Sequence, residues 1–321
     1  MLRANSPCNS GTPKRYGYVM ALVRHLEEED VAFIVSRVAR RLTHEAQQNP
    51  LINAHFDADA FEAALHGARG ATWVCDEGSL TGHIYGAVLQ GSSESTGVWI
   101  GPDGVSFDSV ETLRNLFNTA LSEWRTKGAK EIFVWVLNDE SSIAPWHELG
   151  FEVVHEHGVL RLATLKHRGL PPGYKIRLGG REDLSTAIAL DDLLELYQGG
   201  DADSSRASRE EELTETIEDP DTSYFIVEHE GDPVAHCVSF PLPPRRSSHD
   251  ATAHLSDVVV IEQHQRSGIA TALIDEALSA AKSEGAEYAE VNWRSTNLQA
   301  KSFWLNYGFT STYVRLRATL D

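Results

Sequence analysis

The chain has 321 residues, with 28 Lys and Arg against 47 Asp and Glu, and a formal net charge of −19. This length predicts two domains, and so acidic a chain is not expected to bind nucleic acid, whose protein partners carry basic surfaces. Apolar residues make up 41% of the sequence, which suffices for folded cores, yet no apolar run reaches the roughly 18–20 residues of a membrane span.

The N-terminal 17 residues contain no apolar segment of the kind found in signal peptides, and we expect a flexible tail there. The cysteines Cys8, Cys75 and Cys237 are scattered and fit no metal-binding spacing. These observations predict a reduced, cytoplasmic protein that uses no metal and does not associate with membranes.

The acidic residues are concentrated in the second half of the chain. Residues 171–321 carry a net charge of −13, much of it between Glu182 and Asp232. Two interpretations stay open: a solvated acidic face, or an acidic rim that attracts a cationic substrate.

In the first half, a helical stripe over 31–42 is followed by strands near 71–75, 83–89 and 96–100 and by a helix near 109–126. The stretch Gly-Leu-Pro-Pro-Gly then predicts a linker over 167–174. The linker separates two predicted domains, 18–166 and 175–321.

The second half repeats the order of elements of the first. We predict helices near 183–197 and 207–218, a hairpin over 223–240, a strand over 253–261, a helix after Ser267, and the final elements 287–293, 297–306 and 309–319. In both halves a helix, a strand and a short helix lead to Trp-x-x-x-Gly-Phe, with Trp146 and Trp304 in matching places. The repeat predicts two equivalent α/β domains.

A hydrophobic strand, Val258-Val259-Val260, runs into the turn "QRSGIA" and then directly into a helix. The first N–H groups of a helix have no acceptor within it and lie at the positive end of its dipole. A turn of small residues leaves them open to a phosphate group. The same pattern also fits an ordinary strand-to-helix turn in which Gly268 serves the backbone geometry.

The turn and the later "NLQAKSFWLNYGF" together resemble the GNAT superfamily of acetyl-CoA-dependent N-acetyltransferases. The resemblance implies an α/β (α+β) fold in which each domain has a mixed, mostly antiparallel, splayed sheet flanked by helices. It also implies acetyl-CoA as the co-substrate. The residues that it implies for binding acetyl-CoA are Val258, Val259, Val260, Gln265, Arg266, Ser267, Gly268, Ile269, Ala270, Asn297 and Trp304.

The corresponding turn of the first half, 106–112, has no glycine at the place of Gly268. Asp108 and Glu111 bring negative charge to the position where a pyrophosphate would bind, and like charges repel. We therefore interpret the first half as a degenerate copy with a structural role.

Transfer of an acyl group to an amine needs a base for the amine and an acid for the leaving thiolate. Asp257, just before Val258, is the candidate base, with His254 and Glu262 as weaker ones. The family often has a tyrosine acid where this chain has Trp304, which donates a hydrogen bond but is no useful proton source. Tyr307 and Tyr313 are therefore the candidate acids.

The region that usually forms the substrate pocket is rich in carboxylates. Asp191, Asp192, Glu195 and Asp201 are the candidates for recognising an amine, although helix capping explains such residues equally well. The leading hypothesis is an N-acetyltransferase acting on a small cationic amine, as a monomer or homodimer. The alternatives are a non-catalytic acyl-CoA-binding sensor, a protein or peptide N-acetyltransferase, and an unrelated nucleotide binder.

Overall fold

The computed structural model describes residues 21–53, 56–68, 71–90, 96–198, 206–242 and 249–320. The predicted tail, 1–17, and the candidate Asp201 lie outside these ranges. The described helices are α1 (Val31–Gln48), α2 (Ala58–Gly67), α3 (Val110–Thr126), α4 (Glu140–His147), α5 (Leu184–Tyr197), α6 (Arg206–Glu218), α7 (Ile269–Ser283) and α8 (Leu298–Tyr307). The described strands are β1 (Leu22–His25), β2 (Thr72–Asp76), β3 (Leu80–Tyr85), β4 (Ala87–Gln90), β5 (Thr96–Ile100), β6 (Val105–Phe107), β7 (Ala129–Leu137), β8 (Glu152–Arg161), β9 (Tyr174–Leu178), β10 (Ser223–His229), β11 (Asp232–Pro241), β12 (Thr252–Val260), β13 (Tyr288–Arg294) and β14 (Thr310–Thr319).

These strands form two sheets. The smaller has the order β1-β2-β3-β6, and the larger has the order β4-β5-β7-β14-β8-β13-β12-β11-β10-β9. Most neighbours are antiparallel, but β5–β7 and β12–β13 are parallel pairs. In each half an amphipathic helix, α3 or α7, precedes the second strand of the parallel pair, as a parallel connection requires. The predicted mixed, mostly antiparallel α/β architecture in two similar halves is confirmed.

The two halves exchange their last strands. β14, from the end of the chain, lies between β7 and β8 of the first half, and β8 in turn lies between β14 and β13. The repeated Trp-x-x-x-Gly-Phe explains the matching geometry, because Trp146 packs on Phe151 at 5.0 Å and Trp304 on Phe309 at 5.2 Å between ring centroids. The exchange makes one continuous sheet across both halves. This sheet crosses the predicted boundary, and the division into the domains 18–166 and 175–321 remains a prediction.

The segment between the halves packs against α7. The backbone N–H and the guanidinium of Arg168 donate to the buried carboxylate of Asp275, and the ammonium of Lys282 donates to the carbonyl of Leu162. The predicted linker over 167–174 is therefore held along one side of the helix that follows the glycine turn. Since a buried carboxylate needs such partners, these contacts fix where the linker runs.

Candidate active site

Strand β12 separates from β13 at the point where the candidate site begins. The two strands pair in parallel from Thr252 to Leu255, and no pairing beyond Leu255 is present among the described residues although both strands continue. On the other side of β12, the register with β11 shifts, so that Asp257 and Val258 together face Cys237. This is a β-bulge, and Asp257 within it has a left-handed φ of +51°. The predicted splay of the sheet is thus present, and it opens one edge of the strand segment that holds Val258, Val259 and Val260.

The turn after β12 leaves the start of α7 open. Gly268 has φ +90° and precedes the helix, and no described side chain caps the helix. The first backbone bond within the helix runs from Ala272 N–H to the Gly268 carbonyl at 3.0 Å, so the N–H groups of the first turn lack acceptors inside the helix. Arg266, Ser267 and Gly268 are exposed. Such a helix start fits a phosphate group on both hydrogen-bonding and charge grounds.

The polar side chains of this turn hold its shape. The amide of Gln265 donates to the Val260 carbonyl at 3.0 Å, and the hydroxyl of Ser267 donates to the carbonyl of His264. The hydroxyl oxygen of Tyr174 lies 2.8 Å from the Nδ1 atom of His264. The side chains therefore point back to the protein backbone, and the backbone N–H groups of the helix start remain for a ligand.

Asp257 lies in a negative, desolvated environment. Burial raises the pKa of its carboxyl to about 6, and the nearby carboxylates of Asp191, Glu212 and Glu195 add to the effect. Ser256 donates a hydrogen bond to it at 3.0 Å. A carboxylate with a pKa near 6 can accept a proton from an attacking ammonium or a bridging water close to neutral pH.

Three of the predicted acceptor-binding acids lie on α5, but they differ in environment. Asp191 is buried at 8% exposure and acts electrostatically on Asp257. Glu195 pairs with Arg294 at 3.3 Å, so part of its charge is already neutralised. Asp192 is half-buried on the same helix. The charges of Asp191 and Glu195 thus both act on the candidate base, and Glu195 also pairs with Arg294.

Asn297 and Trp304 have structural contacts of their own. The side-chain oxygen of Asn297 accepts from the Ala300 N–H at 2.9 Å and caps α8. Trp304 is buried at 5% exposure and packs edge-on against Phe303 and Phe309. Both contacts agree with the purely structural interpretation, and the cofactor roles of these two residues remain predictions.

The contacts of Tyr307 do not leave it free as a proton donor. The hydroxyl of Tyr307 donates to the buried carboxylate of Asp275 at 2.6 Å, and its ring stacks under the guanidinium of Arg168. Burial and the adjacent carboxylate raise the pKa of Tyr307. Its hydrogen is therefore already engaged with α7.

The other candidate, Tyr313, lies in the first half because of the strand exchange. It pairs with Leu137 of β7 and lines a cavity of about 320 Å³ together with Arg41 and Glu45 of α1. Burial and the Glu45 carboxyl raise the pKa of Tyr313. The sequence reasoning placed this residue in the second half because it assumed that each half keeps its own last strand.

Asp275 is the polar residue that sequence reasoning missed. It is fully buried, and it joins the linker, through Arg168, to α8, through Tyr307. A carboxylate on the inner, apolar face of α7 was a usable signal, because a buried charge requires specific partners.

Among the described residues no group of His, Cys, Asp and Glu side chains is arranged to hold a metal ion. None of the helices in the described ranges combines the length and apolar composition needed to cross a bilayer.

The family comparison agrees with this geometry. Residues 189–309 match the model of the acetyltransferase (GNAT) family. This span contains the splayed strand, the glycine turn, α7 and α8. No curated protein matches the chain.

Solved structures resemble both halves together. A GCN5-related N-acetyltransferase from Sphaerobacter thermophilus superposes with a TM-score of 0.62 at 14% identity, over 93% of this chain and 95% of that one. A tandem GNAT protein from the clavulanic acid biosynthesis pathway gives a TM-score of 0.53 at 16% identity, over 93% and 98% of the two chains. At such identities these likenesses show the tandem fold, and the family match adds the class of reaction. The protein thus contains an acyltransferase domain over residues 189–309 that matches the GNAT family.

Proposed function

We propose that the second half moves an acetyl group from acetyl-CoA to the primary amine of a small cationic molecule, by direct attack of the amine. The observation that carries this proposal is the uncapped start of α7, which follows the open strand edge at 258–260. The helix start offers N–H groups to a pyrophosphate, and the strand edge offers backbone groups to the pantetheine arm. Among the described residues no side chain caps the helix start, and on the strand segment the amide of Gln265 occupies only the Val260 carbonyl.

Asp257 is the proposed base in this reaction. Its carboxyl lies at the bulge of β12, next to the open edge, and its raised pKa of about 6 lets it take up a proton and release it again near neutral pH. The bulge also turns backbone groups of β12 away from β11, where one N–H can stabilise the oxyanion of the tetrahedral intermediate. No covalent intermediate with the protein is required.

A cationic acceptor follows from the charge of this region. The carboxyl groups of Asp191, Glu195 and Glu212 all raise the pKa of Asp257, so their negative fields overlap at the proposed base. A cationic amine lowers the electrostatic energy of this arrangement when it binds. The same field increases the local concentration of cations and their rate of arrival.

A non-catalytic acyl-CoA-binding protein is the second candidate, and the contacts of Tyr307 favour it. That hydroxyl is committed to Asp275, and Trp304 occupies the usual place of the acid. This candidate predicts acetyl-CoA binding without release of free thiol in the presence of any amine. Thiol release measured across a panel of polyamines, amino sugars and peptide N-termini separates the two functions.

The first experiment is calorimetric titration of acetyl-CoA into wild-type protein and Gly268→Glu. The added carboxylate repels a pyrophosphate at the helix start, while inside the protein the nearest atom to a new Cβ is Pro171 Cγ at 4.0 Å. Gly285→Glu is the matched control, because it adds the same charge at a similar φ of +105°, just beyond the other end of α7. We expect micromolar binding that Gly268→Glu abolishes and Gly285→Glu retains; equal binding by both variants contradicts the proposed site.

A cytoplasmic location is also part of the proposal. Cys75 and Cys237 are buried and free, which suits a reducing compartment. Alkylation of the unfolded chain taken from cells, with and without prior reduction, tests whether the thiols are free in the cell.

A further inference from the structure

One face of the larger sheet carries a row of basic side chains that come from both halves. Arg315 of β14 is opposite His155 of β8, and His155 is opposite Arg294 of β13. Side chains at paired positions of neighbouring strands point to the same side, about 4.8 Å apart. Arg317 follows two residues later on β14 and therefore lies on the same face.

Two of these three arginines have carboxylate partners. Arg294 pairs with Glu195 at 3.3 Å and Arg317 with Glu131 at 3.4 Å. Within the described ranges, Arg315 has no carboxylate oxygen within the 4.0 Å of a salt bridge. The row therefore contains one cation whose charge is not balanced by a neighbouring carboxylate.

His155 is a hydrogen-bond partner of Arg315 without being a counter-ion. The Nη2 atom of Arg315 lies 2.6 Å from Nδ1 of His155. Burial, and the charges of Arg315, Arg294 and Arg317, lower the pKa of His155 to about 3. The imidazole is therefore neutral at physiological pH and accepts a hydrogen bond, but it leaves the positive charge in place.

Aromatic rings complete the surroundings of Arg315. Its Cζ atom lies 5.3–5.6 Å from the ring centroids of Trp99, Phe133 and Trp135. Ring faces compensate a cation only in part, and burial lowers the pKa of Arg315 to about 10. Its Nε atom is buried and has no hydrogen-bond partner within the described ranges. The three rings are partly exposed, so this part of the face is not sealed by the described residues.

We propose that Arg315 binds an oxyanion, the carboxylate or phosphate group of a ligand that lies on the sheet face between the two halves. A guanidinium presents several N–H donors in a fixed plane that matches such groups, and only the Nη2 donor is used by His155. An oxyanion removes the cost of a desolvated, unbalanced charge. Since β14 is three strands from β12 in the sheet, roughly 14 Å, this subsite is separate from the candidate base.

The probes for this proposal are inorganic phosphate and succinate, titrated calorimetrically into the full chain without acetyl-CoA. Fluorescence of the surrounding Trp99 and Trp135 gives a second readout. We expect millimolar binding that weakens with added salt, as a charge–charge contact does. The stronger of the two probes identifies the ligand as a phosphate or a carboxylate.

Arg315→Met should weaken binding of the stronger probe by about tenfold or more, since the hydrogen bonds from a charged guanidinium are lost. Arg315→Lys keeps the charge but loses the planar donors, so we expect a smaller loss; this variant serves if Arg315→Met does not fold. The control is Arg114→Met, an exposed residue of α3 paired with Glu111. Gly268→Glu should retain anion binding, so failure of the proposed acetyl-CoA site leaves this test intact. The proposal is overturned if neither probe binds at about 50 mM, a concentration well above the dissociation constant of an ordinary weak site. It is also overturned if both Arg315 variants bind the probes as tightly as the wild type.

Discussion

The starts of α3 and α7 occupy the same place in the two halves, yet they differ in how their N–H groups are satisfied. At α3, the hydroxyl of Ser109 accepts from the Thr112 N–H at 3.1 Å, and Asp108 forms an ion pair with Arg37 of α1 at 2.6 Å. At α7, Gly268 offers no side chain and the helix has no cap among the described residues. The first half thus uses its own side chains where the second half leaves donors open.

In our proposal the same fold position is structural in one copy and ligand-binding in the other. A helix start lacks partners for about four N–H groups, and either the protein or a ligand must supply acceptors. Ser109 caps the helix, and Asp108 adds a carboxylate beside the turn that disfavours a phosphate there. The predicted degenerate role of the first half therefore has a physical basis at this turn.

The largest effect is expected from Asp257→Asn, which removes the proposed base while leaving the α7 turn intact. Transfer to an amine should fall about 100-fold or more, whereas acetyl-CoA affinity should change little. Wild-type kcat/KM should rise with pH through about 6, because the carboxyl is deprotonated above its raised pKa. Steady-state kinetics and calorimetry on the same preparations measure both; an unchanged rate shows that another base acts.

The same substitution should also change stability, with a sign that follows from the pKa. Asp257 has a pKa of about 6 in the folded protein and 3.8 as the ordinary value, so the folded state binds more protons between these values. Its contribution to stability is complete at acid pH and is lost as the pH rises through 6. Asp257→Asn should therefore raise the free energy of unfolding at pH 8 by about 1–2 kcal/mol. Urea unfolding at pH 8 tests this, and no stabilising effect is expected at pH 4.

The variant Tyr307→Phe tests whether α8 supplies the acid for the leaving thiolate or only a packing contact. The lost hydrogen bond to the buried Asp275 should cost about 1.5 kcal/mol of stability. We expect kcat to stay within a few-fold of wild type, because the hydroxyl is engaged with α7. Denaturant unfolding and the pH profile of kcat measure the two effects separately. A large fall in kcat at unchanged acetyl-CoA affinity makes Tyr307 the acid after all.

Local patterns predicted many of the elements and the turn, whereas β1, β6, α2 and the long-range strand partners were not predicted. Val258–Val260 followed by Gly268 and an apolar helical stripe carried enough information to place β12, the turn and α7, since each signal is local. Which half receives the last strand is decided by pairing across more than 150 residues, as with Tyr313 and His157. The repeat itself made the two possible pairings look equivalent, so it concealed the exchange.

The smallest effects are expected from removing the serine hydroxyls at the starts of α3 and α7. These two variants also compare the two halves most directly. Ser109→Ala removes a helix cap and should lower the free energy of unfolding by about 1 kcal/mol, with no change in acetyl-CoA binding. Ser267→Ala at the matching turn removes a hydroxyl that donates to the His264 carbonyl and caps no helix. Because that residue is exposed, its loss should cost less than about 0.5 kcal/mol. Urea unfolding of both variants measures the difference in stability, and calorimetry measures their acetyl-CoA binding. A larger loss of stability in Ser267→Ala than in Ser109→Ala contradicts the view that only the first half caps its helix with its own side chain.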